Sequence, residues 1–182
     1  MGAECDIESD VVRTVCFSGH RELTPPAQRS LFEGGIDTHE GFREALACRV
    51  RKLCKRLYAE GARHFICGMA EGFDLLAGEI VARLKKELPG IRLTAAVPFP
   101  QQPRSYPAEE KERYDAVTAA SDEVVFVCGS YSPDCFHRRN DHMVERSGAL
   151  ICWFDGRPGG TAYTVRQAVK KGLDVYNIIF EI

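Results

Sequence analysis

The stretch Arg63-His64-Phe65-Ile66-Cys67-Gly68-Met69-Ala70-Glu71-Gly72-Phe73-Asp74-Leu75-Leu76-Ala77 decides the fold. Arg63 to Cys67 is an apolar run too short for a helix and is stopped by glycine, so it predicts a strand. Phe73 to Leu88 carries apolar residues at helical spacing and is closed by Pro89-Gly90, so it predicts a helix. A strand that enters a helix through a glycine-bracketed turn is one step of a parallel sheet, because parallel neighbours need a crossover between them.

The same alternation extends in both directions. Toward the N-terminus, Val11 to Phe17 is a β-branched run ending at Ser18-Gly19. Thr24 to Thr38 contains Pro25, Pro26, Gly34, Gly35 and Asp37 and reads as a long loop, long enough to expect a functional role. Glu40 to Glu60 is helical, with Phe42, Leu46, Val50, Leu53 and Leu57 on one face and Gly61 just past the end. Toward the C-terminus, Ile91 to Val97 is a strand, followed by a loop holding Pro98, Pro100, Pro103 and Pro107. Then come helix Ala108 to Ala120, strand Glu123 to Cys128, helix Asp134 to Ser147, strand Ala149 to Phe154, helix Thr161 to Lys171 and strand Val175 to Phe180. Six continuous apolar strands separated by helices predict a doubly wound, mostly parallel six-stranded α/β sheet with helices on both faces. No repeat or linker interrupts it. The expected organisation is a flexible segment over 1–10 and one domain over 11–182.

Composition narrows the function classes. The chain has 182 residues, 45% hydrophobic and 27% charged, the balance of a globular domain. Twenty-four Lys and Arg against 26 Asp and Glu leave a formal charge of −2, so no global attraction to nucleic acid or anionic lipid follows. Glu4, Asp6, Glu8 and Asp10 stand where a secretory signal has basic and apolar residues. No stretch approaches the roughly 20 apolar residues of a membrane span. The expectation is a cytoplasmic protein without a membrane partner. Its eight cysteines form no C-x-x-C pair and are expected to be thiols. Cys16, Cys67, Cys128 and Cys152 fall near predicted strand ends; a thiolate cluster is the alternative to their being small buried hydrophobes, and the latter is expected. Cys135, His137 and His142 offer ligand-type side chains, but positions five apart do not share a helix face, so no metal site is expected.

Ligands of open parallel sheets bind beyond the carboxyl ends of the strands. Three segments there are glycine-rich: Ser18-Gly19-His20-Arg21, Gly68 through Asp74, and Asp155-Gly156-Arg157-Pro158-Gly159-Gly160-Thr161. Glycine lets backbone amides approach a ligand, and a following helix offers its positive end to an anion. Together they suggest a site for a phosphate-bearing molecule. No G-x-G-x-x-G follows the first strand and no G-x-x-x-x-G-K-[ST] occurs, so dinucleotide dehydrogenase and P-loop readings lose support. Arg49, Lys52 and Arg56 form a basic stripe on the first long helix. It reads either as a nucleic-acid contact surface or as the solvated side opposite the apolar face.

Cys16-Phe17-Ser18-Gly19-His20-Arg21, Cys67 through Ala77, Ala96-Val97-Pro98-Phe99 with Gln102, Tyr114, Arg139 through Val144, and Asp155 through Thr164 together resemble the YpsA-like family of unknown function. The resemblance runs from about Val12 to the C-terminus. That family is similar to the SLOG superfamily, which includes DprA and the LOG phosphoribohydrolases. The resemblance implies a Rossmann-like fold and a nucleotide or nucleotide-derived ligand, with no certain cofactor. The ligand-binding residues it implies, with those of the glycine-rich segments, are Ser18, Gly19, His20, Arg21, Gly68, Met69, Gly72, Asp74, Arg139, Asn140, Asp155, Gly159, Gly160 and Thr161. LOG enzymes carry a catalytic Glu three residues beyond their Gly-Thr, where this chain has Thr164 or Arg166. Glu71 and Asp74 remain as carboxylates for hydrolysis of a nucleotide. The reading is therefore a nucleotide sensor or regulator, with a phosphoribohydrolase or a DprA-like single-stranded DNA binder as alternatives. Whether any reaction is catalysed, and whether the chain self-associates, stays open.

Overall fold

Short apolar runs become strands because alternate residues find an apolar layer on each side. In a computed structural model, which describes residue 11 and residues 13–23 and 39–179, the six runs form β1 (Thr14–Gly19), β2 (His64–Cys67), β3 (Arg92–Val97), β4 (Glu123–Phe126), β5 (Ala149–Trp153) and β6 (Asp174–Asn177). The loop over 24–38 and the segment over 1–10 lie outside the described residues. Every pairing is parallel, and the order across the sheet is β4-β3-β2-β1-β5-β6. The chain is a Rossmann-like α/β protein.

The helices are α1 (His39–Ala59), α2 (Phe73–Leu84), α3 (Ala108–Ala120), α4 (Cys135–Glu145) and α5 (Gly160–Lys171). Phe17, Phe65, Leu93, Ile151 and Trp153 point to one side and pack with Leu46 and Val50 of α1, Leu75 and Ile80 of α2 and Val117 of α3. Cys16, Ile66, Ala96, Leu150 and Cys152 point to the other side and meet Met143 and Val144 of α4 and Ala168 of α5. This period-two alternation puts helices on both faces.

Several elements differ from the sequence expectation. Helix α2 ends at Leu84 rather than Leu88; Lys86 and Glu87 bond the carbonyls of Arg83 and Leu84 in a tightened turn, since Leu88 precedes Pro89 and is disfavoured in the helical region. Strand β4 is only four residues long and is not buried on both faces: Val124 and Phe126 are exposed, Phe126 at 51%. Helices α3 and α4 lie over β3, so the outermost strand stays half open. Strand β6 is likewise partly exposed.

Among the described cysteines, only Cys48 is exposed. Burial pushes the thiols of Cys16, Cys67 and Cys152 up to about 12, which keeps them protonated and poorly nucleophilic. The basic stripe is partly turned inward. Arg49 Nη1 donates to the Ile178 carbonyl at 3.0 Å, and Arg56 lies over the Tyr176 ring at 5.1 Å.

Leu93 is fully buried and Val124 is at the open edge. Leu93→Ala is expected to lower stability by about 2–5 kcal/mol, while Val124→Ala stays within about 0.5 kcal/mol, both read from urea midpoints.

Candidate functional site

Strand order reverses between β1 and β5: the chain leaves β1 for α1 on one face and leaves β5 for α5 on the other. Diverging connections open a crevice there. A cleft of about 430 Å³ occupies it, lined by Ser18, Gly19, His20 and Arg21 after β1, by Ala70 and Asp74, by Pro133, Phe136, His137, Arg139 and Asn140, and by Gly160 and Thr161.

Arg139 organises the cleft. It is 5% exposed, and its Nη1 donates to the Gly68 carbonyl and approaches Asp74 Oδ2 at 3.4 Å. Its Nε is buried without a hydrogen-bond partner. A guanidinium cannot lose its proton, so the unmet N–H is a persistent demand for an acceptor. Asp74, 4% exposed, is the only carboxylate among the described residues that line the cleft, and its Oδ2 also accepts from the Ala70 amide at 3.4 Å. Burial pushes the Asp74 carboxyl up, while Arg139 and the amides of Ala70 and Gly19 pull it back down.

On the opposite wall α5 begins at Gly160; Gly160 and Thr161 line the cleft, and no side chain caps this helix start. A Cβ on Gly160 would meet nothing within 4 Å, so neither packing nor backbone conformation accounts for glycine there. The third wall is aromatic. Phe136 lies under Arg21, whose guanidinium carbon is 5.8 Å from the ring centre, and also packs edge-on against Phe99 at 5.9 Å. His137 packs on Tyr163 at 4.4 Å.

Of the residues singled out from sequence, Ser18, Gly19, His20, Arg21, Asp74, Arg139, Asn140, Gly160 and Thr161 line the cleft. Gly68, Met69, Gly72, Asp155 and Gly159 do not, and Glu71 is also outside the lining. Several glycines have roles inside the protein. A Cβ on Gly68 would collide with the Arg139 guanidinium and the Asp74 carboxylate, one on Gly72 with the Arg21 carbonyl, and one on Gly19 with the Phe73 ring. Asp155 pairs with His20 Nε2 at 2.7 Å and with Arg157 Nε at 2.6 Å. Although burial works to raise it, the Arg157 amide, His20 and the Arg157 guanidinium hold the Asp155 carboxyl below its usual range. Arg139 and Asn140 are buried, which a solvent-facing helix position would not be. The sequence does not mark Ala70, Pro133, Phe136 and His137 as ligand-site residues, His137 standing out there only as a metal-ligand type of side chain; Ser132-Pro133 before α4 is the available sign that a helix start faces the same edge.

Fold and crevice together define a Rossmann-like protein with an anion-suited cleft at the strand-order reversal. The chain belongs to the YpsA SLOG family, whose model matches residues 38–180; the Ser18–Arg21 segment precedes the matched stretch. Among its relatives are UPF0398 proteins of Bacillus thuringiensis and Bacillus cereus, each 29% identical over 146 residues and spanning 78% of this chain and 79% of theirs. Its fold is similar to DNA processing protein A (DprA) of Streptococcus pneumoniae, with a TM-score of 0.58, 17% identity, and coverage of 90% of this chain and 49% of that one. It is also similar to DprA of Helicobacter pylori, with a TM-score of 0.53 at 16% identity over 93% of this chain and 66% of that one. The chain thus spans about half the length of the pneumococcal protein.

Gly68→Ala drives a Cβ into the Arg139–Asp74 pair and is expected to cost about 3–5 kcal/mol, the range for breaking a buried pair, measured by urea unfolding. Asp155→Asn is expected to destabilise at neutral pH. Because the folded carboxyl is lowered, its contribution is complete above the unfolded value of about 3.9 and is lost as pH falls through the lower folded value. Wild-type and variant unfolding curves should therefore converge toward low pH.

Proposed function

We propose that this chain binds a nucleotide or nucleotide-derived ligand in the cleft and acts as a sensor or regulator. One observation carries the reading: Arg139, buried with an unpartnered Nε, shares the cleft with the open helix start at Gly160 and Thr161. A phosphate group accepts from both kinds of donor, since helix N-termini favour anions and a guanidinium favours phosphate oxygens. The rings of Phe136 and His137 beside them supply faces on which a base packs.

Binding is favoured over hydrolysis by the fate of two positions. Thr164 is fully buried and its hydroxyl donates to the Gly160 carbonyl at 2.9 Å, and Arg166 is exposed, so no carboxylate follows the Gly-Gly-Thr element. Asp74 is engaged by Arg139 and Ala70. Glu71 is outside the lining.

A second reading is single-stranded DNA binding, the activity named for the H. pylori neighbour. Phe99 packs edge-on against Tyr131, which is 64% exposed, and Phe136 stands beside Arg21; this aromatic run favours it. Against it, Arg49 and Arg56 of the basic stripe are bound to the protein's own C-terminal segment.

A thermal-shift and calorimetry panel of AMP, ADP, ADP-ribose, NAD, cyclic dinucleotides and short oligothymidylates separates the readings. At least one mononucleotide or dinucleotide is expected to stabilise the protein. Gly160→Ala is expected to keep or raise intrinsic stability by about 0.4–1 kcal/mol while losing most of the ligand-induced shift. No stabilisation by any nucleotide, with Gly160→Ala behaving as wild type, overturns the proposal. Salt-dependent oligothymidylate binding without mononucleotide binding favours the DNA reading.

A further inference from the structure

The turn between β2 and α2, residues 68–72, holds the cleft's Ala70 and the backbone that Asp74 and Arg139 grip. Its middle is strained. Met69 has φ 59, the only positive value among the described non-glycine residues. A fully buried methionine has no side-chain reason to adopt that conformation, which costs about 1–2 kcal/mol. Something outside the turn must hold it.

Besides Asp74 and Arg139, the side chains that hold it come from one segment, whose residues lie outside the cleft lining. Gln102, 4% exposed, donates from Nε2 to the Met69 carbonyl at 3.3 Å and to the Tyr106 hydroxyl at 2.6 Å. Tyr106 donates its own hydroxyl proton to the same Met69 carbonyl at 2.9 Å. Burial pushes the Tyr106 phenol well above its usual value, so it remains a donor throughout the physiological range. Four residues further on, Glu110 Oε2 accepts from the Gly72 amide at 3.2 Å, and Glu110 is itself fixed by Arg113, which pairs with Glu79 at 2.6 Å. Gln102 begins the short 3-10 turn Gln102–Ser105 with Pro103 inside it, and Pro107 caps α3. Proline fixes φ and stiffens this segment between two of its anchor points.

We infer that Gln102, Tyr106 and Glu110 are positioning residues for the ligand cleft: they hold the turn over 68–72, with Met69 and Gly72 at positive φ, so that Ala70, Asp74 and Arg139 are arrayed before ligand arrives. None of the three lines the cleft, so each acts through the turn's main chain. The inference rests on the ligand-binding reading above and assigns preorganisation of that site to the proline-rich segment.

The test compares wild type with the double variant Gln102→Leu plus Tyr106→Phe, which keeps side-chain volume while removing every donor to the Met69 carbonyl. Arg51→Ala, which loses only a surface pair with Glu87, is the comparator. Amide hydrogen exchange is followed by mass spectrometry over 66–76, and affinity is measured calorimetrically with whichever of AMP, ADP, ADP-ribose or NAD shifts the wild type most. The double variant is expected to exchange at least ten-fold faster over 69–72, with the strands unchanged, and to bind at least five-fold more weakly. Glu110→Ala is expected to reproduce both effects more mildly. Faster exchange with unchanged affinity overturns the inference, because the segment is then structural only. Unchanged exchange overturns it as well. A wild type that binds none of the four nucleotides overturns the ligand reading, and this inference with it.

Discussion

A buried guanidinium is tolerated only where its charge is met, and Arg139 sets that requirement at the centre of this molecule. Its partners, the Gly68 carbonyl and the Asp74 carboxylate, belong to a turn and a helix packed on the opposite face of the sheet from α4. The interaction therefore ties the two helical layers together across the crevice at the strand-order reversal. It exists because residue 68 has no Cβ, which would occupy the guanidinium's position. It also engages the one carboxylate among the described lining residues while leaving Arg139 Nε unpartnered. The pair joins the two walls and leaves a donor unspent between them.

The alternating apolar runs are enough to place the six strands and the helices between them among the described residues, since burial on two faces leaves a local signature of continuous Val, Ile, Leu, Phe and Cys. Strand order carries no such signature. That β5 pairs with β1, and not with β4, depends on which faces the crossover helices cover, a long-range choice no window of sequence contains. For the same reason Glu123-Val124-Val125-Phe126 read like a central strand, although it lies at an open edge. Local hydrophobicity reports what a segment can bury, and the neighbours decide what it does bury.

The site was legible as three glycine-rich segments but not in its division of labour. Gly19, Gly68 and Gly72 face the protein's own Phe73, Arg139 and Arg21, whereas Gly160 faces open space. In the sequence these glycines look alike; only the packed side chains separate glycines that the fold requires from one whose Cβ would meet open space. Phe136 was missed because it follows β4, whose connection carries no glycine-rich element of the same kind. Helix periodicity alone does not show what meets Arg49. Its place on the polar stripe is real, but the C-terminal segment crosses there and takes its guanidinium.

Net charge and local charge make opposite statements about this protein, and the local one governs the cleft. The chain as a whole carries −2, which gives no long-range pull on a polyanion. Within the cleft the balance is reversed: Arg139 and Asp74 cancel as a pair, which leaves the charge of Arg21 and the helix start at Gly160 and Thr161 uncompensated among the lining residues. A low-dielectric recess strengthens such a field at short range and leaves it weak outside. This distribution suits one compact anion seated among a few donors better than a long backbone following a continuous basic track. A continuous track would need the α1 stripe, and there Arg49 and Arg56 are already occupied by Ile178, Ile179 and Tyr176.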